Sequence, residues 1–145
     1  MEQQSADFDH IQVGNEYSFK YKLTPELVED YIKASGDRNS WYTGASPFGG
    51  PIAPLVLVPR MHASSASEGY SASGRVQTST NSQFFAPAKV GTTITVSEKV
   101  IERYIKRGRD YVDRQFESRD ENGVLVCREV RSSLVHYAKL EEGRK

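Results

Sequence analysis

Cysteine is nearly missing from this chain. Of its 145 residues only Cys127 is one, so no internal disulfide can form and no cysteine-rich zinc site can be built. A lone thiol fits a reducing compartment. Histidine is scarce as well: His10, His62 and His136 do not stand at metal-ligand spacing to one another or to the cysteine, so no metal is assigned. No charge of one sign dominates. The 19 basic residues meet 19 acidic ones, which removes the global electrostatic case for nucleic acid or an anionic membrane surface. No apolar run approaches the ~20 residues of a membrane span. The opening MEQQSADFDH is too acidic and polar for a secretory signal or transit peptide. There are no internal repeats and no low-complexity segments. A soluble, cytoplasmic protein is expected, with one domain because the length suits one core rather than two.

Residues 1–9 read as a flexible lead-in and 139–145 as a charged tail, which leaves a domain over 10–138. Between His10 and Leu23, Tyr17, Phe19 and Tyr21 alternate with polar residues, the period of a half-buried strand. Thr24 and Pro25 then supply a helix N-cap and a first helical residue. Leu27, Val28, Tyr31 and Ile32 follow at helical spacing as the buried stripe, and Gly36 stands where a C-cap belongs. Residues 37–51 are rich in Gly, Ser and Pro and read as a long loop, of a length that usually serves a function. Pro54 is expected to open a second helix through Leu55, Val56, Leu57, Val58 and Met61. That helix has almost no polar face before Arg60, so burial around most of its circumference is expected, with Pro59 kinking or shortening it. Everything after Ser73 reads as β structure, in strands over 74–85, 92–104, 111–119 and 124–137. Asn122-Gly123 gives the strongest hairpin signal. The order predicts an α+β architecture, an antiparallel meander curved around one apolar helix.

Two places spend polar groups unusually. The first helix stops on Gly36 and at once presents a carboxylate at Asp37, an amide at Asn39 and a phenol at Tyr42. A carboxylate held beside an apolar helix has its pKa raised and can act as a base. Soon after comes Ser46-Pro-Phe-Gly-Gly-Pro-Ile-Ala-Pro54, where a glycine pair before a Pro-started helix exposes backbone N–H groups that suit a carbonyl oxygen or oxyanion.

These segments resemble the signature of the MaoC-like (R)-specific enoyl-CoA hydratases and dehydratases. The family pattern Gly-Asp-x-Asn-Pro-x-His is met here by Gly36-Asp37-Arg38-Asn39-Ser40-Trp41-Tyr42. Gly49-Gly-Pro-Ile-Ala-Pro54 resembles the family's helix entry, Phe85-Ala-Pro-Ala-Lys-Val-Gly91 its strand-turn element and Asn122-Gly-Val-Leu-Val126 its final hairpin. The resemblance spans nearly the whole chain. It is nearest to the N-terminal, fatty-acid-synthase-like dehydratase branch, which shares an Arg-Gly-Arg turn like Arg107-Gly108-Arg109. It implies a hot-dog fold, assembly as a homodimer or as a heterodimer with a related hot-dog subunit, and no cofactor. It also implies hydration of a 2-enoyl thioester, or the reverse dehydration, carried on coenzyme A or an acyl-carrier protein. Asp37 matches the family's acid–base Asp and Asn39 its helper Asn, while Gly50 is the candidate carbonyl-binding amide. The family's His falls on Tyr42 and its Pro on Ser40. A phenol of pKa ~10 is a poor base near neutrality, and the branch contains halves that have lost the catalytic pair.

Each residue also has a plainer reading. Asp37 and Asn39 can cap the turn after Gly36, and Tyr42 can fill the space of the missing His and hydrogen-bond locally. Gly49, Gly50, Ile52, Arg60 and Phe84 are the candidate substrate-binding residues. Arg60 equally suits an interface ion pair, and Phe84-Phe85 equally suits core packing. His62 or His136 replaces the lost base only if the fold brings it to Asp37. Lys106 to Arg109 reads as a solvated basic turn or as a grip on coenzyme A phosphates. Three activities stay open: a hydratase or dehydratase centred on Asp37, a non-catalytic subunit of a heterodimeric hydratase, and a thioesterase, cyclase or isomerase on the same pocket.

Overall fold

The computed structural model describes residues 11–62 and 75–135. His10, His136, the lead-in, the tail and residues 63–74 lie outside the described residues. Strand β1 is Glu16–Lys22, and its alternation holds, with Tyr17, Phe19 and Tyr21 on the half-buried face. Helix α1 is Pro25–Ser35. The Thr24 hydroxyl accepts the Leu27 N–H at 3.1 Å, Pro25 opens the first turn, and Gly36 closes the helix at φ 75° while its N–H reaches the Ile32 carbonyl at 2.8 Å. That left-handed cap is why a glycine stands there. Val28 is buried, with Leu27, Tyr31 and Ile32 packed partly against the core.

The second helix differs from expectation. It is short, Leu57–Arg60, and does not start at Pro54. The residues before it are extended. Ile52 bridges to Lys89, the Ala53 N–H reaches the Ala88 carbonyl at 2.8 Å and the Val90 N–H reaches Pro51 at 3.0 Å. Pro59, lacking an N–H, then limits the turns that can follow. Leu57, Val58 and Pro59 of this helix, α2, are buried, whereas Leu55 and Val56 are exposed. Burial around most of the apolar run is therefore not found.

Strands β2 (Val76–Phe84), β3 (Thr93–Lys106), β4 (Arg109–Arg119) and β5 (Leu125–Leu134) complete an antiparallel five-stranded sheet in the order β1-β3-β4-β5-β2. The hairpin between β3 and β4 turns on Arg107 and Gly108, both at positive φ, and the next one turns through Gly123. The meander covers only β3 to β5. Strand β2 is not beside β3; it sits on the far edge against β5. The connector 85–92 crosses from that edge toward β1, held by Phe85 N–H on Val126 and by a two-way pairing of Leu23 with Gly91 and Thr92.

One face of the sheet carries the core. Ile94, Val96, Phe116 and Cys127 meet Val28, Ala53, Leu57 and Val58 there, and Ile11, Val100, Val112 and Val135 form a second cluster. Charge is built into the same face. Glu98 pairs with Arg114 at 3.3 Å, with both side chains almost wholly buried. Glu129 accepts from Arg131 and Thr80 at 2.8 Å each and contacts His62 Nδ1 at 3.1 Å. Buried charges persist when paired and hydrogen-bonded in this way. No described helix is long and apolar enough to cross a membrane.

Candidate functional site

The loop after α1 folds on its own polar groups. The Asp37 N–H donates to Ser35 Oγ at 3.2 Å, and Asn39 Oδ1 accepts the Trp41 N–H at 3.0 Å, which caps a single 3-10 turn over Ser40–Tyr42. That turn brings Tyr42 back toward Asp37. The Tyr42 hydroxyl donates to Asp37 Oδ2 at 2.8 Å, and its ring packs against the core. Burial first, then the hydrogen bond to Asp37 and its charge, pushes the Tyr42 phenol up to about 12. The phenol therefore keeps its proton at neutral pH and is held as a donor. Asp37 itself is exposed, so the expected carboxylate tucked beside an apolar helix is not found; the helix has ended at Ser35, with Gly36 as its cap.

The rest of the loop builds a wall. Ser46 Oγ donates to the Gly50 carbonyl and accepts the Phe48 N–H at 3.1 Å. Gly49 and Gly50 adopt φ 84° and 124°, values that disfavour any side chain. Trp41 and Phe48 meet edge to face at 6.1 Å between ring centroids. Behind them lies an apolar cavity of about 310 Å³. Its floor is buried Ala53, Val58, Ala88 and Val126; its mouth is exposed Trp41, Phe48, Leu55 and Phe84. Asn39 and Tyr42 supply its polar rim. Tyr42 also lines a second hollow of about 540 Å³, whose lining includes the charged Arg38, Lys33 and Glu29, so this ring stands between the two.

Of the residues singled out from sequence, Asn39, Tyr42, Ile52 and Phe84 therefore share one cavity, and Asp37 joins them through Tyr42. Gly49 and Gly50 shape the loop without lining the cavity. The Ile52 N–H is taken by the Trp41 carbonyl at 2.9 Å. Arg60 lies apart, in a groove between α1 and α2 beside Asp30 and Tyr31. His62 spends both ring nitrogens elsewhere, on Glu129 and on Ser118 Oγ at 2.7 Å, and stacks on Phe116. Burial pushes the Glu129 carboxyl up, but the bonds from His62 and Thr80 and the Arg131 charge outweigh it and hold it below the usual range. Arg131 also donates to the carbonyls of His62 and Pro59 at 3.1 and 3.4 Å. These contacts pin the C-terminal end of the segment whose start forms the cavity wall. Cys127 is free and buried, its thiol pushed up to about 11 by burial and then by Glu129, so it is a poor nucleophile. No cluster among the described residues fits a metal ion.

Sequence reasoning missed Trp41, Phe48, Leu55 and the wall 86–88. The single tryptophan inside a Gly-rich loop is the one signal that pointed there.

No protein-family model and no curated protein sequence matches this chain. Solved structures do. The (R)-hydratase of Pseudomonas aeruginosa superimposes with a TM-score of 0.76 at 18% identity, over 88% of this chain and 84% of its own. A MaoC-like dehydratase of Rhodospirillum rubrum gives 0.74 at 17%, over 88% and 94%. A 3R-hydroxyacyl-ACP dehydratase complex of Mycobacterium tuberculosis gives 0.70 at 15%, over 84% and 96%. The chain has the hot-dog fold of these proteins.

Proposed function

We propose that this chain catalyses the addition of water to a 2-enoyl thioester, or the reverse dehydration of a 3-hydroxyacyl thioester. The observation that carries the proposal is the 2.8 Å hydrogen bond from Tyr42 to Asp37 at the rim of an apolar cavity. The Asp37 carboxylate takes a proton from the attacking water as its oxygen bonds to Cβ. The π electron pair moves to Cα, which takes the Tyr42 proton. Asp37, now a carboxylic acid, returns a proton to Tyr42 along the bond that joins them, and both groups are restored. A phenol placed where a histidine is expected thus serves as donor while the carboxylate serves as acceptor, and Asn39 orders the turn that holds them. We assign the carbonyl-polarising donor to the Leu55 backbone N–H rather than that of Gly50: neither N–H has a backbone partner among the described residues, but of the two only Leu55 lines the cavity. Such a fixed donor stabilises the enolate-like oxygen.

The substrate is carried on coenzyme A or an acyl-carrier protein, in the cytoplasm. A second hot-dog chain, identical or related, packs beside the exposed mouth formed by Trp41, Phe48, Leu55 and Phe84, leaves it open to the acyl chain and removes Asp37 from bulk water. The second reading is a non-catalytic subunit of a two-subunit hydratase. It is favoured by Tyr42 itself, because the phenol replaces a stronger base. Hydration of crotonyl-CoA and 2-octenoyl-CoA by the purified chain, beside Asp37→Asn, separates the two. Activity that Asp37→Asn abolishes supports the enzyme; a folded wild-type chain inert on both substrates sinks it and favours the subunit.

A further inference from the structure

We infer that the cavity beside Tyr42 is a closed-ended acyl pocket sized for a straight, apolar chain of about eight to ten carbons, an inference that rests on the thioester reading above. Its polarity fixes the direction. Its polar lining groups, the Asn39 and Tyr42 side chains, the Trp41 indole and the Leu55 N–H, stand on the rim, and no charged side chain among the described residues lines it. The thioester therefore sits at the rim, and the hydrocarbon points inward. Burial fixes the end. Ala53, Val58, Ala88 and Val126 are 6%, 2%, 4% and 1% exposed, against 36–54% for Phe84, Trp41, Phe48 and Leu55 at the mouth. A chain entering at the aromatic mouth stops on that floor.

Volume fixes the length. A dry cavity of ~150 Å³ takes benzene, roughly 25 Å³ per heavy atom. The volume of about 310 Å³ then takes roughly 12 heavy atoms. The thioester oxygen and sulfur claim two of these, which leaves about ten carbons at full occupancy. A four-carbon acyl group leaves more than half of this space unfilled and forfeits the dispersion contacts of its walls. A 14-carbon group leaves its end in water.

Small residues set the capacity, so they set the specificity. Ala53, Ala86 and Ala88 keep space that any larger side chain would take, while Val126 closes the floor. Ala88→Val adds two methyl groups to the wall, and Val126→Ala removes two from the floor.

The test is calorimetric titration of the purified chain with saturated acyl-CoAs from butanoyl to tetradecanoyl. Each added methylene should tighten binding about 4-fold, the burial of one CH₂, up to a break near octanoyl to decanoyl, with no gain beyond it. Val126→Ala should move the break about two carbons longer and Ala88→Val about two shorter. The large-to-small variant keeps the test valid where the other fails to fold. Affinity independent of chain length, a continued gain through tetradecanoyl, no binding at any length, or a break that folded Val126→Ala leaves unmoved overturns the inference. The hydration assay reads the chemistry separately. A break without hydration removes the reaction and leaves the pocket; hydration without a break does the reverse.

Discussion

Loss of Glu129 should cost this fold heavily for the size of one side chain. Its carboxylate receives His62, Arg131, Thr80 and, at 3.4 Å, Ser82. The side chain is 4% exposed, that of His62 0% and that of Arg131 17%, so water cannot replace the lost partner. Glu129→Ala strands a guanidinium and an imidazole in the core and opens a cavity. Breaking a buried pair from one side costs about 3–5 kcal/mol, which for a chain of this size corresponds to a fall of roughly 10 °C or more in Tm. Thermal and urea unfolding followed by circular dichroism measures it, with Glu129→Gln, which keeps volume and an acceptor oxygen, losing less. The pH dependence gives a second check. The folded carboxyl lies below its ordinary value, so its contribution is fully present above the unfolded value of ~4.3 and is lost as pH falls through the folded value. The gap between wild type and Glu129→Ala should therefore narrow in acid. A cost under about 1 kcal/mol at pH 7, against the 3–5 expected of a buried pair, or a gap unchanged on acidification, would refute the view that this network anchors the segment ending at His62.

Tyr42→Phe removes the hydroxyl that meets Asp37 and should lower kcat for enoyl-thioester hydration by about 10²-fold or more with little change in KM; steady-state kinetics would show a raised KM at unchanged kcat if the phenol only binds. Because the Tyr42 phenol is pushed up to about 12, ultraviolet titration of wild type against Tyr42→Phe should show no difference in phenolate below about pH 11. Thr24→Ala removes the hydroxyl that accepts the Leu27 N–H and should cost ~1 kcal/mol in urea unfolding. Arg107 is the one non-glycine residue at positive φ among those described, at 53°. Arg107→Gly should therefore stabilise by up to ~1 kcal/mol, and a loss of stability in the same assay would show that the arginine side chain has contacts worth more than the strain.

The local signals in the sequence were reliable because each rests on nearest neighbours. Thr24, Pro25 and Gly36 bound α1 by capping chemistry that acts within a few residues. Gly108 and Gly123 mark hairpins because positive φ is a property of one residue. What failed was set at long range. Strand β2 alternates no more clearly than its neighbours, and nothing within it says that its partner is β5, some fifty residues on, rather than β3. The helix at Pro54 gave way because the preceding residues pair with the connector around Ala88, a contact that no periodicity encodes.

The site divides along the same line. Asp37, Asn39 and Tyr42 were legible because one short turn joins them, and the turn's own hydrogen bonds bring the phenol to the carboxylate. The cavity was not, because its walls come from the loop, the extended residues before α2, the end of β2, the connector and β5. The buried charges were hidden for a different reason. Glu98, Arg114, Glu129 and Arg131 look like ordinary solvent-facing positions in alternating strands, yet the register turns all four toward the core. Arg114 stands directly across from Arg131 in the pairing of β4 with β5, a like-charge neighbour pair that would be destabilising alone. It persists because each guanidinium has its own carboxylate, Glu98 two strands from Glu129. The polar ladder therefore sets side by side four residues that sequence reading treats one at a time, and Glu129 and Arg131 hold His62 and the Pro59 carbonyl of the segment that carries the cavity wall.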